Sequence, residues 1–367
     1  MGMADTYSRG WRFVAERPLE LLVWAVGAAL LVDLFSKVTA GDVTALTIAL
    51  FLKDGIVIGL VIGLAGIGLS MTYSILNFAN FAHGEYLTAG AFAGWATTYL
   101  IAGIGTVSAG DLFLVGVSGG ADAGTVGASV FSTPVAVLVG FVVAIAFGAG
   151  LALALDRVVY RPMRGGNAIA LLIASIGVAL ALRYLLAFVF GTSRTGITGG
   201  TLPTYLVPGV DLIFSAHELA LVVAALAMMG GVHVLLRRTK LGKAMRAMAD
   251  NTDLARVTGI PTERVIRATW IIGGGLTGAA GYLVVLETGT ISFDYGWTLL
   301  LLIFAAVILG GIGSIYGAML GGLTIGVAST LSLLWIPSDF TSAAAFAVMI
   351  VVLLTKPAGL FGGVTTA

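Results

Sequence analysis

What most constrains this chain is a succession of apolar runs, each cut off by a short polar break. Candidate spans lie near 19–38, 55–76, 86–104, 133–155, 168–190, 212–236, 268–288, 298–312, 315–334 and 341–355. A bilayer core takes roughly 20 apolar residues per helix, so these runs are of membrane-crossing size. Only 10% of the 367 residues are charged and 59% are hydrophobic, where soluble domains carry about 25% charged residues. A water-soluble fold of that composition would turn apolar patches outward that soluble monomers rarely tolerate. The expected fold is therefore all-α, a polytopic transmembrane helical bundle of about 8–10 spans. Its 52 glycines, twice the usual frequency of about 7%, permit close packing and breaks inside membrane helices. The pair of runs around Gly313 reads as one broken or re-entrant element.

The short connections leave no space for a soluble catalytic domain. The chain has no cysteine, which excludes disulfides, thiolate metal sites and a cysteine nucleophile. A net charge of +1 argues against a nucleic-acid surface. No glycine run continues into Gly-Lys-Ser or Gly-Lys-Thr, so the chain is not expected to hydrolyse ATP itself. His83, Gly84 and Glu85 lack the two-histidine helical spacing of a zinc site, so neither a metal nor a cofactor is expected. The first 18 residues are too long, polar and mixed in charge for the start of a signal peptide, and the first helix is expected to stay.

Lys and Arg are distributed unevenly over alternate connections, which sets an orientation. The N-terminal segment, 156–167, 237–267 and Lys356 together hold fifteen; the connections on the other side hold two, Lys53 and Arg194. This predicts a cytoplasmic segment 1–18, a transmembrane domain over 19–356 with an extracytoplasmic loop at 105–132 and a cytoplasmic loop at 237–267, and a cytoplasmic tail 357–367. Both termini are then cytoplasmic in a multi-pass protein of the cell membrane.

The 237–267 connection is the one stretch dense enough in charge to form a feature outside the bilayer. Leu241, Met245 and Met248 recur at helical spacing opposite Lys243 and Arg246. Asn251 is suited to cap a short helix over 252–258, Gly259 to end it, and Pro261 to open the next. The segment either lies on anionic lipid or docks a cytoplasmic partner. The turn residues Gly259, Ile260 and Pro261, which a lipid-bound helix does not need, favour docking.

Polar groups within the membrane are costly unless buried or paired, which singles out Asn77, Asn80, His83 and Glu85 in NFANFAHGEYLTAGAFAG. Asn80 is placed to cap a helix beginning near Phe81, with Glu85 in its first turn at the positive end of the macrodipole. The segment is then either a polar helix end near the cytoplasmic interface or the lining of a pathway. In LGGIGSIYGAMLGGLTIG, Gly313, Gly317 and Gly321 recur at every fourth position, a face suited to close packing. Alternatively Gly311, Gly313 and Ser314 belong to an unwound break lining a pathway, since non-helical backbone survives at depth only under protein or beside a water-filled cavity. On the pathway reading the two segments approach each other, Glu85 is structural, and Asn77 and Asn80 lie nearer the permeant. Asp33 and Lys37, four apart, read as a mutual pair. Arg183 has no local partner and either pairs with Glu287 or stands beside the pathway.

The stretches ILNFANFAHGEYLTAGAF, YRPMRGGNAIALLIASIGVALALR, LGKAMRAMADNTDLARVTGIPTERVIRATWIIGGGLTGAAG, AVILGGIGSIYGAMLGG and TKPAGLFG, in that order over roughly 55–362, resemble the permeases of branched-chain amino acid ABC importers. Urea and short-amide importer permeases are close relatives with similar motifs. The 105–132 segment and the first 18 residues find no counterpart. The resemblance implies a permease subunit that pairs with a homologous second permease, two cytoplasmic ATP-binding subunits and an extracytoplasmic substrate-binding protein. Substrate would move inward by alternating access. The resemblance places the ATPase-coupling contacts at Asp250, Asp253, Ala255, Gly259, Ile260 and Pro261. Met248, Ala249 and Asp250 stand where the general coupling motif has Glu-Ala-Ala. The competing classes are a stand-alone secondary transporter or channel, for which Arg183 and Glu85 supply few midplane groups, and an intramembrane enzyme, for which no nucleophile and base are paired.

Overall fold

Lipid offers no hydrogen bonds to a backbone, so apolar runs that enter it close their N–H and C=O groups internally as helices. The computed structural model describes residues 18–105, 107–114, 122–199, 203–207, 209 and 211–361; most of the expected N-terminal segment, the centre of the 105–132 loop and the end of the tail lie outside the described residues. Among the described residues, seven helices are long and apolar enough to cross a membrane.

In chain order the principal helices are α1 (Pro18–Ala40), α2 (Ala45–Leu76), α3 (His83–Ala102), α4 (Pro134–Leu155) and α5 (Ala168–Phe190), then α6 (Ala216–Arg238), α7 (Lys240–Asp250), α8 (Thr252–Val257), α9 (Thr262–Thr288), α10 (Tyr295–Gly310), α11 (Ile315–Leu331) and α12 (Thr341–Thr355). Helix α4 runs on through a π-helical turn, Asp156–Tyr160, into Arg161–Met163. Four short strands, β1 (Thr195–Gly196), β2 (Thr204–Val207), β3 (Leu212–Ser215) and β4 (Thr290–Ile291), form two antiparallel ribbons, β1 with β4 and β2 with β3.

Two starts differ most from the apolar runs. Helix α2 begins ten residues before its run, because the Thr44 side chain accepts a hydrogen bond from the Thr47 amide and starts the helix there. Lys53 and Asp54, read as part of a connection, therefore lie on a helix, and Lys53 pairs with Glu218 of α6. Helix α9 begins at Thr262, directly after Pro261. Asp33 and Lys37 form the expected pair at 2.9 Å.

Helix α9 occupies the centre, packed against α2, α3 and α4. Small residues set these approaches. A Cβ on Gly278 would lie 2.3 Å from the Ala144 carbonyl oxygen, and one on Gly281 2.1 Å from that of Leu87; neither position accepts a side chain without helix separation. Nearby, Trp95 stacks on Tyr282 with ring centroids 4.7 Å apart and donates to its carbonyl.

A long helix followed by a non-helical reversal and a shorter helix occurs twice, in α2–α3 and in α9–α10. Helix α3 does not start at the end of the bundle. Its first residue, His83, lies against the Ala65 carbonyl, eleven residues before the end of α2, or roughly 16 Å at 1.5 Å per residue. Residues 77–82 climb back into the bundle unwound, with Phe78, Asn80 and Ala82 fully buried. Residues 289–294 descend in the same way to α10. The two short helices meet at their starts: the Gly296 amide donates to the Thr88 hydroxyl at 2.9 Å.

Helices α10 and α11 are separated by a true break. Gly311 and Gly313 have φ of 101° and 87°, a region that glycine enters without steric cost, and the Ser314 side chain caps α11 through the Gly317 amide. Residues 359–361 fold back over this break. The amides of Leu360 and Phe361 donate to the carbonyls of Leu309 and Gly310 at 2.9 and 3.0 Å.

Candidate functional site

The expected pathway residues fall at two depths. At the level of the charged 237–267 connection, Asn77 ends α2 in left-handed backbone, its amide donating to the Tyr73 carbonyl. It opens onto a cavity of about 310 Å³ lined also by Tyr160, Arg164, Leu171 and Thr252. The break at 311–314 lies at this level too, the space over Gly313 bounded by Ser74 at 3.7 Å. The two polar segments therefore neighbour each other at the Asn77 end, and their link toward Glu85 runs through α10, where Phe81 meets Phe304 with centroids 5.0 Å apart.

Asn80 does not cap a helix. Helix α3 starts at His83, and Ala82, which has no side-chain cap, precedes it. Asn80 is wholly buried instead; its Oδ1 accepts from the Ala82 amide at 3.1 Å and the Tyr160 hydroxyl at 3.2 Å, while Nδ2 donates to the Tyr86 hydroxyl at 3.3 Å. Three donor and acceptor groups that would be costly alone in a dry interior satisfy one another. The Phe81 amide donates to Ser175 on α5 at 3.1 Å, fixing the unwound segment from the other side.

His83 is sealed at the junction of α2, α3 and α9. Its Nε2 lies 2.9 Å from both the Ala65 carbonyl and the Thr277 hydroxyl, and that hydroxyl donates to the Gly273 carbonyl. A proton on Nε2 satisfies all three groups, which assigns the tautomer from the network.

Glu85 is different. It is 1% exposed, and neither carboxylate oxygen has a hydrogen-bond partner among the described residues. A buried charge left so is costly unless something else meets it. The positive end of α3 provides part of the compensation. Across the helix-start junction lies a second carboxylate, Asp294, bonded to the Ser292 hydroxyl, and both Asp294 and Arg183 are within electrostatic reach of Glu85. Arg183 does not pair with Glu287: its guanidinium stacks over Trp297 and Phe293, 5.1 and 5.6 Å from the ring centroids. Glu287 lies instead near Lys53, Asp54 and Glu218 at the far end of α9. The junction thus gathers two carboxylates, one guanidinium and two aromatic faces where two helices begin inside the bundle.

The charged connection folds as two short helices. The Asn251 side chain caps α8 through the Leu254 amide at 2.9 Å, and Gly259 turns the chain at φ 85° before Pro261. Met245 and Met248 are buried against the body while Asp253, Gly259 and the side chain of Val257 face outward. Asp250 ends α7 and Ala255 is buried on α8. The loop is tied to the bundle on two sides. Thr252 lines the cavity that holds Asn77. Glu263, two residues past Pro261, receives Arg164 at 3.1 Å, and Arg164 also binds Asp156 in the π-turn. That turn ends at Tyr160, the partner of Asn80.

Asp294, Phe293, Trp297, Tyr86, Tyr160 and the π-turn escape a reading of the sequence. The acidic residue in SFDYG, between two apolar runs, is the one local signal that could have marked the second helix start.

Comparison with known proteins gives the arrangement its context. Over 315 residues the chain is 30% identical to the high-affinity branched-chain amino acid transport system permease protein BraD of Pseudomonas aeruginosa, covering 85% of this chain and 94% of that protein. It is 32% identical over 314 residues to LivH of Escherichia coli K12, a permease protein of the same description, with 84% and 94% covered. It is 27% identical over 325 residues to a probable branched-chain amino acid transport permease protein LivH of Methanocaldococcus jannaschii, with 85% and 92% covered. The family described as branched-chain amino acid transport system, permease component, matches residues 51–353, from α2 into α12. A permease component of this kind is a membrane-spanning transport subunit and not an enzyme, and it works with ATPase and binding-protein partners. On the strength of a match that runs through nearly the whole bundle, the chain belongs to the branched-chain amino acid transport permease family.

Proposed function

We propose that this chain is the permease subunit of a binding-protein-dependent ABC importer that carries branched-chain amino acids inward by alternating access. Two separate cytoplasmic ATP-binding subunits drive it, with a homologous second permease beside it and a substrate-binding protein delivering from outside. The family match over residues 51–353 supports the reading above all. The orientation proposed is that of the basic asymmetry, with α7 and α8 on the cytoplasmic side as the ATPase coupling element and residues 105–132 outside.

Substrate is proposed to pass the helix-start junction and leave past Asn77. A branched-chain amino acid is a zwitterion with an aliphatic side chain; a site with both signs of charge beside Phe293 and Trp297 matches it. A neutral urea or short amide would bring no charge of its own to meet Glu85 and Arg183. The structural role read for Glu85 from sequence does not account for its two open oxygens. In the coupling route proposed, closure of the ATPases moves α8, and the chain from Glu263 through Arg164 and Asp156 to Tyr160 carries the displacement to Asn80 and the start of α3. ATP must favour one state of the bundle by several kcal/mol to reverse its population.

Reconstitution with the partner subunits in vesicles tests this. Leucine uptake should require external binding protein and internal ATP, and Glu85→Gln and Arg183→Gln should each lower uptake in complexes that still assemble. Uptake independent of ATP, or undiminished in both variants, refutes the respective parts.

A further inference from the structure

On the side of the molecule that carries the basic excess, α4 and α9 diverge around a cavity of about 310 Å³ lined by Leu153, Asp156, Arg157, Arg161, Glu263 and Arg267. Its acidic members are already matched. Arg164 binds Asp156 and Glu263, and Arg161 lies 3.6 Å from Glu263. Arg267 spends its Nε on the Glu263 carbonyl, which leaves its terminal nitrogens over. Among the described residues neither Arg157 nor Arg267 has an acidic partner. With Arg164 included, four guanidiniums against two carboxylates leave the cavity positive. The wall beside it is apolar: Val158, next to Arg157, is 74% exposed, and Ala154 and Phe147 continue an exposed strip up α4.

We propose that this cavity is a binding site for the headgroup of an anionic phospholipid. The phosphate would sit between Arg157 and Arg267, where planar guanidiniums pair with its oxygens, and the acyl chains would run along Val158, Ala154 and Phe147. Basic pockets between membrane helices on the positive side of a protein are suited to such headgroups, and in the orientation proposed above this one faces the cytoplasmic leaflet, which carries the negative surface potential. A free phosphate would gain the ion pairs without the apolar strip; a lipid gains both.

The test uses the full-length protein, co-purified with its ATPase subunits in detergent, stripped of lipid and titrated with phosphatidylglycerol or phosphatidylcholine of the same chain length, with retained lipid and subunits counted by native mass spectrometry. The wild type should prefer phosphatidylglycerol, and added salt should weaken the preference. The double variant R157Q/R267Q should bind it about thirtyfold more weakly, from about fivefold per arginine. R157K/R267K should recover most of the loss, and Arg264→Gln, outside the cavity, should change nothing. Equal retention of the two lipids, or undiminished preference in R157Q/R267Q, overturns the assignment. Inorganic phosphate competing as well as the lipid does the same, and so does loss of the ATPase subunits from R157Q/R267Q with lipid retention unchanged. If R157Q/R267Q is not monodisperse, Arg157→Gln alone carries the comparison, with about a fivefold loss expected.

Discussion

The meeting of α3 and α10 can be put under strain with a single methyl group. In Gly296→Ala the new Cβ would lie 1.8 Å from the Gly84 carbonyl oxygen and 2.5 Å from the Thr88 hydroxyl oxygen. The nearest group is backbone in a helix, with no flexible end to swing away, so the two helix starts must part by ~1.2 Å or more before the contact becomes tolerable. That movement breaks the bond from the Gly296 amide to Thr88, a loss of about 1 kcal/mol, and adds overpacking of about 1–3 kcal/mol. A destabilisation of about 2–4 kcal/mol is expected, read as a lowered midpoint when the purified protein is heated in detergent. Gly177→Ala, on α5 with nothing within 4 Å of its Cβ, is the matched control and should melt with the wild type. Identical midpoints for wild type, Gly296→Ala and Gly177→Ala would refute the head-to-head packing.

Gly259→Val has open space around it, so its cost is the left-handed backbone at φ 85°, about 1–2 kcal/mol confined to the turn; the complex should assemble while substrate-stimulated ATP hydrolysis and uptake fall together, and normal stimulation would remove the turn from coupling. Asn80→Ala unpairs the Tyr86 and Tyr160 hydroxyls and the Ala82 amide in a dry interior, at about 1–3 kcal/mol each, so the yield of monodisperse protein should drop steeply. Unchanged yield with slower uptake per folded molecule would instead place Asn80 in the pathway. For orientation, Lys243→Cys and Thr125→Cys, both exposed positions in a chain without native cysteine, should respectively resist and accept an impermeant thiol reagent on intact cells; the reverse pattern would invert the topology.

Hydropathy made the helices legible because each must close its own backbone in lipid. The bounds of α5 and α12 follow the apolar runs to the residue, and the break at 311–314 announces itself in glycine. The caps of the charged loop were equally readable, since Asn251 and Gly259 act on neighbours three or fewer residues away. Depth was not readable. Nothing in the run after Asn80 says that His83 sits beside Ala65, because apolar residues look alike at every level of a bundle. Partners distant in sequence were equally hidden. Asn80 has polar candidates in plenty, and only the π-turn, which brings Tyr160 round, selects one. Arg183 shows a further limit: opposite charges invite pairing on paper, yet the guanidinium rests on Trp297 and Phe293 while Glu287 lies elsewhere.

The closure of the break by residues 359–361 gives the molecule a chronology. Helix α10 has 16 residues, short for an independent crossing, and its last carbonyls, on Leu309 and Gly310, are met by amides that lie beyond α12. A nascent chain emerging from the ribosome carries α10, α11 and α12 before it carries Leu360 and Phe361. Through that interval the carbonyls of Leu309 and Gly310 lack these two donors, and the end of α10 is an unlatched seam until the clasp arrives.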